Sequence, residues 1–345
     1  MGKVTNFSID LSFLKIGFSN FFSILKKDLG RLFEKLGVYS VVEIPYGVQF
    51  RLDFQTDLLV VNLYSSGRIN FQTSFDFEKL VFGYIEAKSK ELAEKSSKDL
   101  NGRRTVTKNV SKDVVKESGV FVNSFLKNSD SNVVSLKGIW VIFFDKLYSI
   151  IDKYLGKIVY ESYVIGADEA GKGEMEGALV LGMVGCSKNV LPFLVMAGVS
   201  DSKRASRRTR RLARLEKIIK KLCDYRLISI TPTELLNTWE KGNLNIILED
   251  AYINLLKKFL EQNYQIIQSQ KDSVGLYIDQ FSSNLNRFKE KINRTFFSMN
   301  IKDYNLVLRH KAEVFPHVAA ASILAKLQYE KSKNFYTLTK PWRRN

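Results

Sequence analysis

Residues Tyr163–Gly182 read YVIGADEAGKGEMEGALVLG. An apolar run ends in two adjacent carboxylates, Asp168 and Glu169. Ala170 and the turn Gly171-Lys172-Gly173 follow, and then a second apolar run. Neighbouring acids at the tip of a hydrophobic strand repel each other and resist burial, so their charge must be compensated there. Downstream the pattern alternates, with strands near 163–168, 178–186, 226–230, 274–279 and 305–309 and helices near 206–222, 243–261 and 316–331. Alternation that opens with two adjacent strands predicts an α/β fold, a mixed sheet flanked by helices, over residues 136–345.

Two other zones precede it. In residues 1–86, FFSILKKDLGRLFEKL (21–36) places Phe22, Leu25, Leu29, Leu32, Phe33 and Leu36 at three- and four-residue steps, the period of a helix. In GVQFRLDF (47–54), Val48, Phe50, Leu52 and Phe54 alternate with Gln49, Arg51 and Asp53, which predicts a strand with one apolar face. DLLVVNLY, the turn SSGR (65–68) and INFQT continue an antiparallel meander, making this zone a small α+β domain. Residues 87–135 are rich in Lys, Ser, Glu and Asn and read as a polar, partly helical linker. No internal repeat is apparent.

At 345 residues the chain is long enough for about two domains. Its 53 Lys and Arg against 36 Asp and Glu give a formal charge of +17, which points to a polyanionic partner: nucleic acid first, an anionic membrane second. No apolar run approaches the roughly 20 residues of a membrane helix; GIWVIFFDKLYSII (138–151) is short and broken by Asp145 and Lys146. Asp10 and Lys15 interrupt the first apolar residues, so no signal peptide is read. Cys186 and Cys223 are too few for a disulfide framework and read as buried free thiols, which fits a reducing cytoplasm.

The remaining acids at strand ends are Asp279, closing VGLYI in DQF, and Glu313, in KAE after NLVLRH. With Asp168 and Glu169 they make four carboxylates from three segments that could meet at one sheet edge. Such a cluster is tolerable when cations neutralise it, and hard oxygen ligands favour Mg²⁺ or Mn²⁺. Two ions about 4 Å apart can activate a water and stabilise the leaving oxygen of a phosphodiester. Cys/His spacing for zinc is absent, and His310 and His317 read as surface or core residues. A solvated surface pair is the ordinary alternative for Asp168-Glu169, and spacing by itself goes no further than a candidate metal site.

GADEAGKGEMEGALV resembles the first signature of the type 2 ribonucleases H, an acid pair followed by a Gly-polar-Gly turn. GVSDSKRAS (198–206), NLN (243–245), YIDQF (277–281) and KAEVFPHVAAASILAK (311–326) match further motifs of that group in order. DQF and the glutamate of KAE resemble ribonuclease HIII more than HII, which usually has aspartate at the last position. IPYGVQFRLDF and LYSSGRINFQT resemble the TATA-binding-protein-like amino-terminal domain of ribonuclease HIII, with Gln72-Thr73 in place of the usual Gln-Gly. The resemblance implies an RNase H-like fold and metal-dependent cleavage of the RNA strand of RNA–DNA hybrids, leaving 3′-hydroxyl and 5′-phosphate ends. It assigns catalysis and two divalent ions, Mg²⁺ or Mn²⁺, to Asp168, Glu169, Asp279 and Glu313. It gives substrate contact to Gly171, Lys172 and Gly173, and to Ser202 and Lys203 of the DSK motif. It makes residues 1–86 a substrate-binding domain.

The helix over 204–222 sets Leu212, Leu215, Ile219 and Leu222 opposite Arg207, Arg210, Arg214, Lys217 and Lys221, a basic face suited to phosphate. The helices that begin at NLN and at FPHVAAASILAK read as scaffold, with Ser322 bonded to backbone. Three features depart from the family. Gly177-Ala178 replaces Gly-Pro, Glu174 and Glu176 add negative charge near the expected phosphate path, and the sequence ends at KPWRRN, sooner than the family generally does. No membrane or protein partner is evident, and a monomer is expected. Two other readings stay open: cleavage at single ribonucleotides in DNA, as in ribonuclease HII, and non-catalytic hybrid binding.

Overall fold

The computed structural model describes residues 5–11, 18–36, 39–54, 57–73, 77–101, 131–174, 176–199, 209–239, 243–269, 273–282 and 285–338. It divides into two compact units, Met1–Leu155 and Gly156–Asn345. No helix among the described residues is long and apolar enough to cross a membrane.

The first unit holds β1 (Thr5–Asp10), α1 (Phe18–Leu36), β2 (Tyr39–Ile44), β3 (Gly47–Phe54), β4 (Asp57–Tyr64), β5 (Arg68–Thr73), α2 (Phe77–Asn101) and α3 (Ser131–Leu155). Its strands form an antiparallel sheet in the order β1-β5-β4-β3-β2. The alternation in β3 is realised as a two-faced sheet: Val48, Phe50 and Leu52 are buried, whereas Arg51 is exposed and Gln49 half-buried. Phe71 of β5 stacks on Phe77 of α2 at 4.3 Å, and the Phe144 ring meets Phe77 edge-on at 5.8 Å. Tyr84 of α2 donates its hydroxyl to Asp145 of α3 at 2.7 Å, and Lys88 pairs with the same carboxylate at 3.4 Å. These contacts place α3 with the first unit, so the second begins at Gly156 and not at 136. Phe143, Phe144, Leu147 and Ile151 form a buried helical stripe that the meander core absorbs. Residues 87–101 continue α2 as helix, and 102–130 lie outside the described residues.

The second unit runs β6 (Tyr163–Ala170), β7 (Leu179–Ser187), α4 (Leu191–Ala197), α5 (Thr209–Leu222), β8 (Asp224–Ile230), α6 (Pro232–Trp239), α7 (Leu244–Gln262), α8 (Tyr264–Ser269), β9 (Val274–Asp279), α9 (Asn286–Ser298), β10 (Tyr304–Arg309) and α10 (Pro316–Leu338). The sheet order is β10-β9-β6-β7-β8. β6, β9 and β10 are parallel, while β7 and β8 join antiparallel, so the sheet is mixed as expected. Alternate residues of β6 serve opposite faces. Ile165 and Ala167 enter a core with Leu248, Tyr252, Leu255 and Phe259 of α7 and with Phe288, Ile292 and Phe296 of α9. Gly166 lies under α10, where a Cβ would come within 2.4 Å of the backbone of His317 and Val318. The bare glycine is what lets the first turn of α10 sit on β6.

Candidate active site

Three parallel strands bring their carboxyl ends to one edge of the sheet. β6 and β9 pair with Ala167 opposite Ile278, so Asp168, near the end of β6, stands level with Asp279 at the end of β9. β10 ends at Arg309, and the chain reverses through Lys311, whose φ of 59° is left-handed, into a short 3₁₀ turn that carries Glu313. That turn is tied to β9 by the Ala312 N–H, which donates to Asp279 Oδ1 at 2.9 Å. The KAE and DQF segments are thereby one hydrogen-bonded unit.

Adjacent side chains on a strand point to opposite faces, and the acid pair follows that rule. Asp168 is 5 % exposed and faces α10, where it accepts from Ser322 and from the Glu169 N–H at 2.8 Å. Glu169 faces α7 and accepts the hydroxyl of Tyr252. Burial, then repulsion by Glu169, pushes the Asp168 carboxyl well above the usual range, with Glu313 adding to the push and Ser322 opposing it. Burial also raises Glu169, with Asp279 repelling it and Tyr252 and Lys172 opposing. The four acids named from sequence therefore share one electrostatic neighbourhood.

No three Asp, Glu, His or Cys side chains among the described residues converge as a ready set of metal ligands. Asp168 is instead engaged with Ser322, Glu169 with Tyr252 and Lys172, and Asp279 with the Ala312 N–H. The donor chemistry nonetheless fits hard divalent ions. Every donor is a carboxylate oxygen, and burial with mutual repulsion leaves an excess of negative character that a dication relieves.

Gly171 and Gly173 have φ of 85° and 76°, a backbone that L side chains rarely adopt, so the turn requires both glycines. The Glu174 N–H closes it onto the Gly171 carbonyl at 3.1 Å. Lys172 reaches inward: its ammonium donates to the Phe281 carbonyl at 3.0 Å, lies 5.8 Å over the Phe281 ring and sits 3.8 Å from Glu169 Oε1. Ser202 and Lys203, and the side chains of Arg207 and Arg210, lie outside the described residues.

A family model described as Ribonuclease HII matches residues 165–339, half of the chain. The chain belongs to the ribonuclease HII family. Ribonuclease HII of Methanococcus maripaludis (strain C7 / ATCC BAA-1331) is 32% identical over 177 residues, which are 51% of this chain and 66% of that protein. Ribonuclease HIII of Protochlamydia amoebophila (strain UWE25) is 34% identical over 163 residues, 47% of this chain and 49% of that protein. The crystal structure of Bst-RNase HIII in complex with Mn²⁺ aligns over 95% of this chain and 82% of its own, at 16% identity and a TM-score of 0.39.

Within this ribonuclease HII family member, two helices read from sequence as scaffold reach the acids. Ser322 is buried and bonds to Asp168, not merely to backbone. Tyr252, 1 % exposed, bonds to Glu169 and stacks on Phe281 at 5.4 Å. The NLN motif begins the helix that carries it, because Asn243 caps α7 by accepting from the Ile246 N–H at 3.1 Å. Tyr252 falls on the apolar stripe of α7, so periodicity marks it as core and gives no sign of its hydroxyl's partner. Glu174 and Glu176 are also accounted for. Glu174 accepts the hydroxyl of Tyr329, and Glu176 pairs with Lys333 at 2.5 Å, both on α10.

Proposed function

We propose that this protein is an endoribonuclease that cuts the RNA strand of RNA–DNA hybrids with two divalent ions, Mg²⁺ or Mn²⁺, leaving 3′-hydroxyl and 5′-phosphate ends. One observation carries the reading: the carboxyl ends of β6 and β9 and the turn after β10 bring Asp168, Glu169, Asp279 and Glu313 to one sheet edge, where Asp168 feels Glu169 and Glu313, and Glu169 feels Asp279. In this reading those four residues hold the ions. Bound there, divalent ions supply a reactive water at neutral pH and stabilise the leaving oxygen.

The protein's own residues do the positioning. Ser322 and the Glu169 N–H orient Asp168, Tyr252 orients Glu169, and the Ala312 N–H orients Asp279. The exposed N–H groups of the Gly171–Gly173 turn suit a phosphate or a 2′-hydroxyl, the group that distinguishes RNA from DNA. Lys172, 3.8 Å from Glu169, offsets part of its charge, and Ser202 and Lys203 would contact the backbone of the hybrid. The first unit presents Arg51, Asn70 and Gln72 on the polar face of its sheet as a second surface for the duplex. Glu313 in KAE and this first unit favour a ribonuclease HIII-type preference for continuous hybrids. The match to the ribonuclease HII model favours a second reading, cleavage at single ribonucleotides in DNA.

Asp279→Asn keeps the hydrogen-bond acceptor for Ala312 and removes the charge. It should abolish cleavage of a hybrid, by about a hundredfold or more, and leave hybrid binding within about twofold. Full activity in that variant sinks the assignment of the carboxylates.

A further inference from the structure

The turn that faces substrate in the proposed reading is fastened from below by the far half of α10. Tyr329 is 1 % exposed and donates its hydroxyl to Glu174. Its ring is the floor of the turn: a Cβ at Gly171 would come within 2.8 Å of it and one at Gly177 within 2.7 Å. Lys333, one helical turn on, pairs with Glu176 at 2.5 Å. Ser332 accepts the Ala178 N–H at 3.0 Å and donates to the Tyr329 carbonyl at 2.7 Å. Lys326 lies 4.7 Å over the Tyr329 ring. Three consecutive contacts thus run from a glycine-rich segment, which has high conformational freedom of its own, to one face of a helix. A proline after Gly177 would restrict that segment from within; here Ala178 follows, and the restraint comes from α10.

We propose that Tyr329, supported by Lys333, is a positioning residue for substrate: through Glu174 and Glu176 it fixes the Gly171–Gly173 turn, so that affinity for the hybrid depends on a phenol hydroxyl that does not itself touch nucleic acid. The acids Glu174 and Glu176 are the turn's fasteners, directed at the helix and away from the phosphate path. The inference rests on the reading that this turn meets the hybrid.

Tyr329→Phe removes one hydroxyl and keeps the ring that fills the space under Gly171 and Gly177. With saturating Mg²⁺ or Mn²⁺ and a continuous RNA–DNA hybrid, this variant should raise KM about tenfold, the worth of one charge-assisted hydrogen bond, with kcat within about twofold. Glu174→Gln retains an acceptor and should stay near the unmodified protein, whereas Glu174→Ala should match Tyr329→Phe. Amide hydrogen exchange on the free protein reads the fastening without substrate, and Tyr329→Phe should speed exchange at Gly173 and Glu174 while α7 stays protected. Unchanged KM and unchanged exchange in Tyr329→Phe, with an unmodified protein that cleaves the hybrid, overturn the inference alone. A fall in kcat at constant KM also overturns it. An unmodified protein that neither binds nor cleaves the hybrid overturns the functional reading, and the substrate half of this inference with it.

Discussion

Asp168 and Glu169 are neighbours in sequence and partners of different helices in space. Strand alternation sends one toward Ser322 of α10 and the other toward Tyr252 of α7. That separation is how a strand tip carries two acids. The pair stood out in the sequence as a candidate because it follows directly on an apolar run. Its supports, Ser322 and Tyr252, did not, because a buried serine in an alanine-rich helix and a tyrosine on an apolar stripe look like packing. His317 shows the converse. It read as a core or surface residue and is fully buried at 0 % exposure, with neither ring nitrogen hydrogen-bonded among the described residues. Burial holds its imidazole down at about 3. An unfolded chain binds a proton at His317 below about 6.5 and the folded chain does not, so this residue lowers stability as pH falls from about 6.5 toward 3. His317→Leu should therefore raise Tm more at pH 4 than at pH 7, measured by thermal melts of the two proteins side by side. An equal shift at both values, or a loss at pH 4, contradicts the neutral buried assignment.

At the scale of elements, α10 organises the site. Its first turn lies on Gly166, its second offers Ser322 to Asp168, and its far half holds the turn after β6. Gly166→Ala puts a methyl within 2.4 Å of helix backbone and must push α10 off β6. It should cost about 1–3 kcal/mol of stability and reduce hybrid cleavage, because Ser322 and Glu313 move with the helix. Gly30→Ala in α1 is the control: nothing lies within 4 Å of the added methyl, and it should be neutral or stabilising by about 0.5–1 kcal/mol. Urea melts with a cleavage assay compare the two, and equal behaviour would falsify the close packing of α10. The long helices and all five strands of the second sheet were readable from period and from apolar runs that end in charge. Besides the short elements β1, β2, α4, α6 and α8, the helices α9 and α3 were not read. In α9 the spacing of Phe288, Ile292 and Phe296 is helical, but charged residues surround these three and weaken the apolar signal. The apolar α3 adjoined a polar stretch and was assigned to the segment that follows it, whereas its aromatic residues pack with Phe71 and Phe77.

At the scale of the whole molecule, the charge of +17 suits the nucleic-acid substrate of the proposed reading, and the carboxylates of the candidate site suit the divalent cations it invokes. The four acids and the glycine turn of the candidate site lie in short, local motifs and so can be picked out from sequence. The sequence left the fasteners of that turn unexplained, since Glu174 and Glu176 find their partners on a helix far along the chain. Cleavage by the unmodified protein tests the central claim most directly. A continuous RNA–DNA hybrid and a DNA duplex with one ribonucleotide are each incubated with Mg²⁺, with Mn²⁺ and with a chelator. The account predicts cuts within the RNA strand of the continuous hybrid, with 3′-hydroxyl and 5′-phosphate ends, in the presence of the ions and not with the chelator. Cuts confined to the single-ribonucleotide junction would transfer the protein to the second reading. Tight binding of the hybrid with neither duplex cut in either ion would contradict the account.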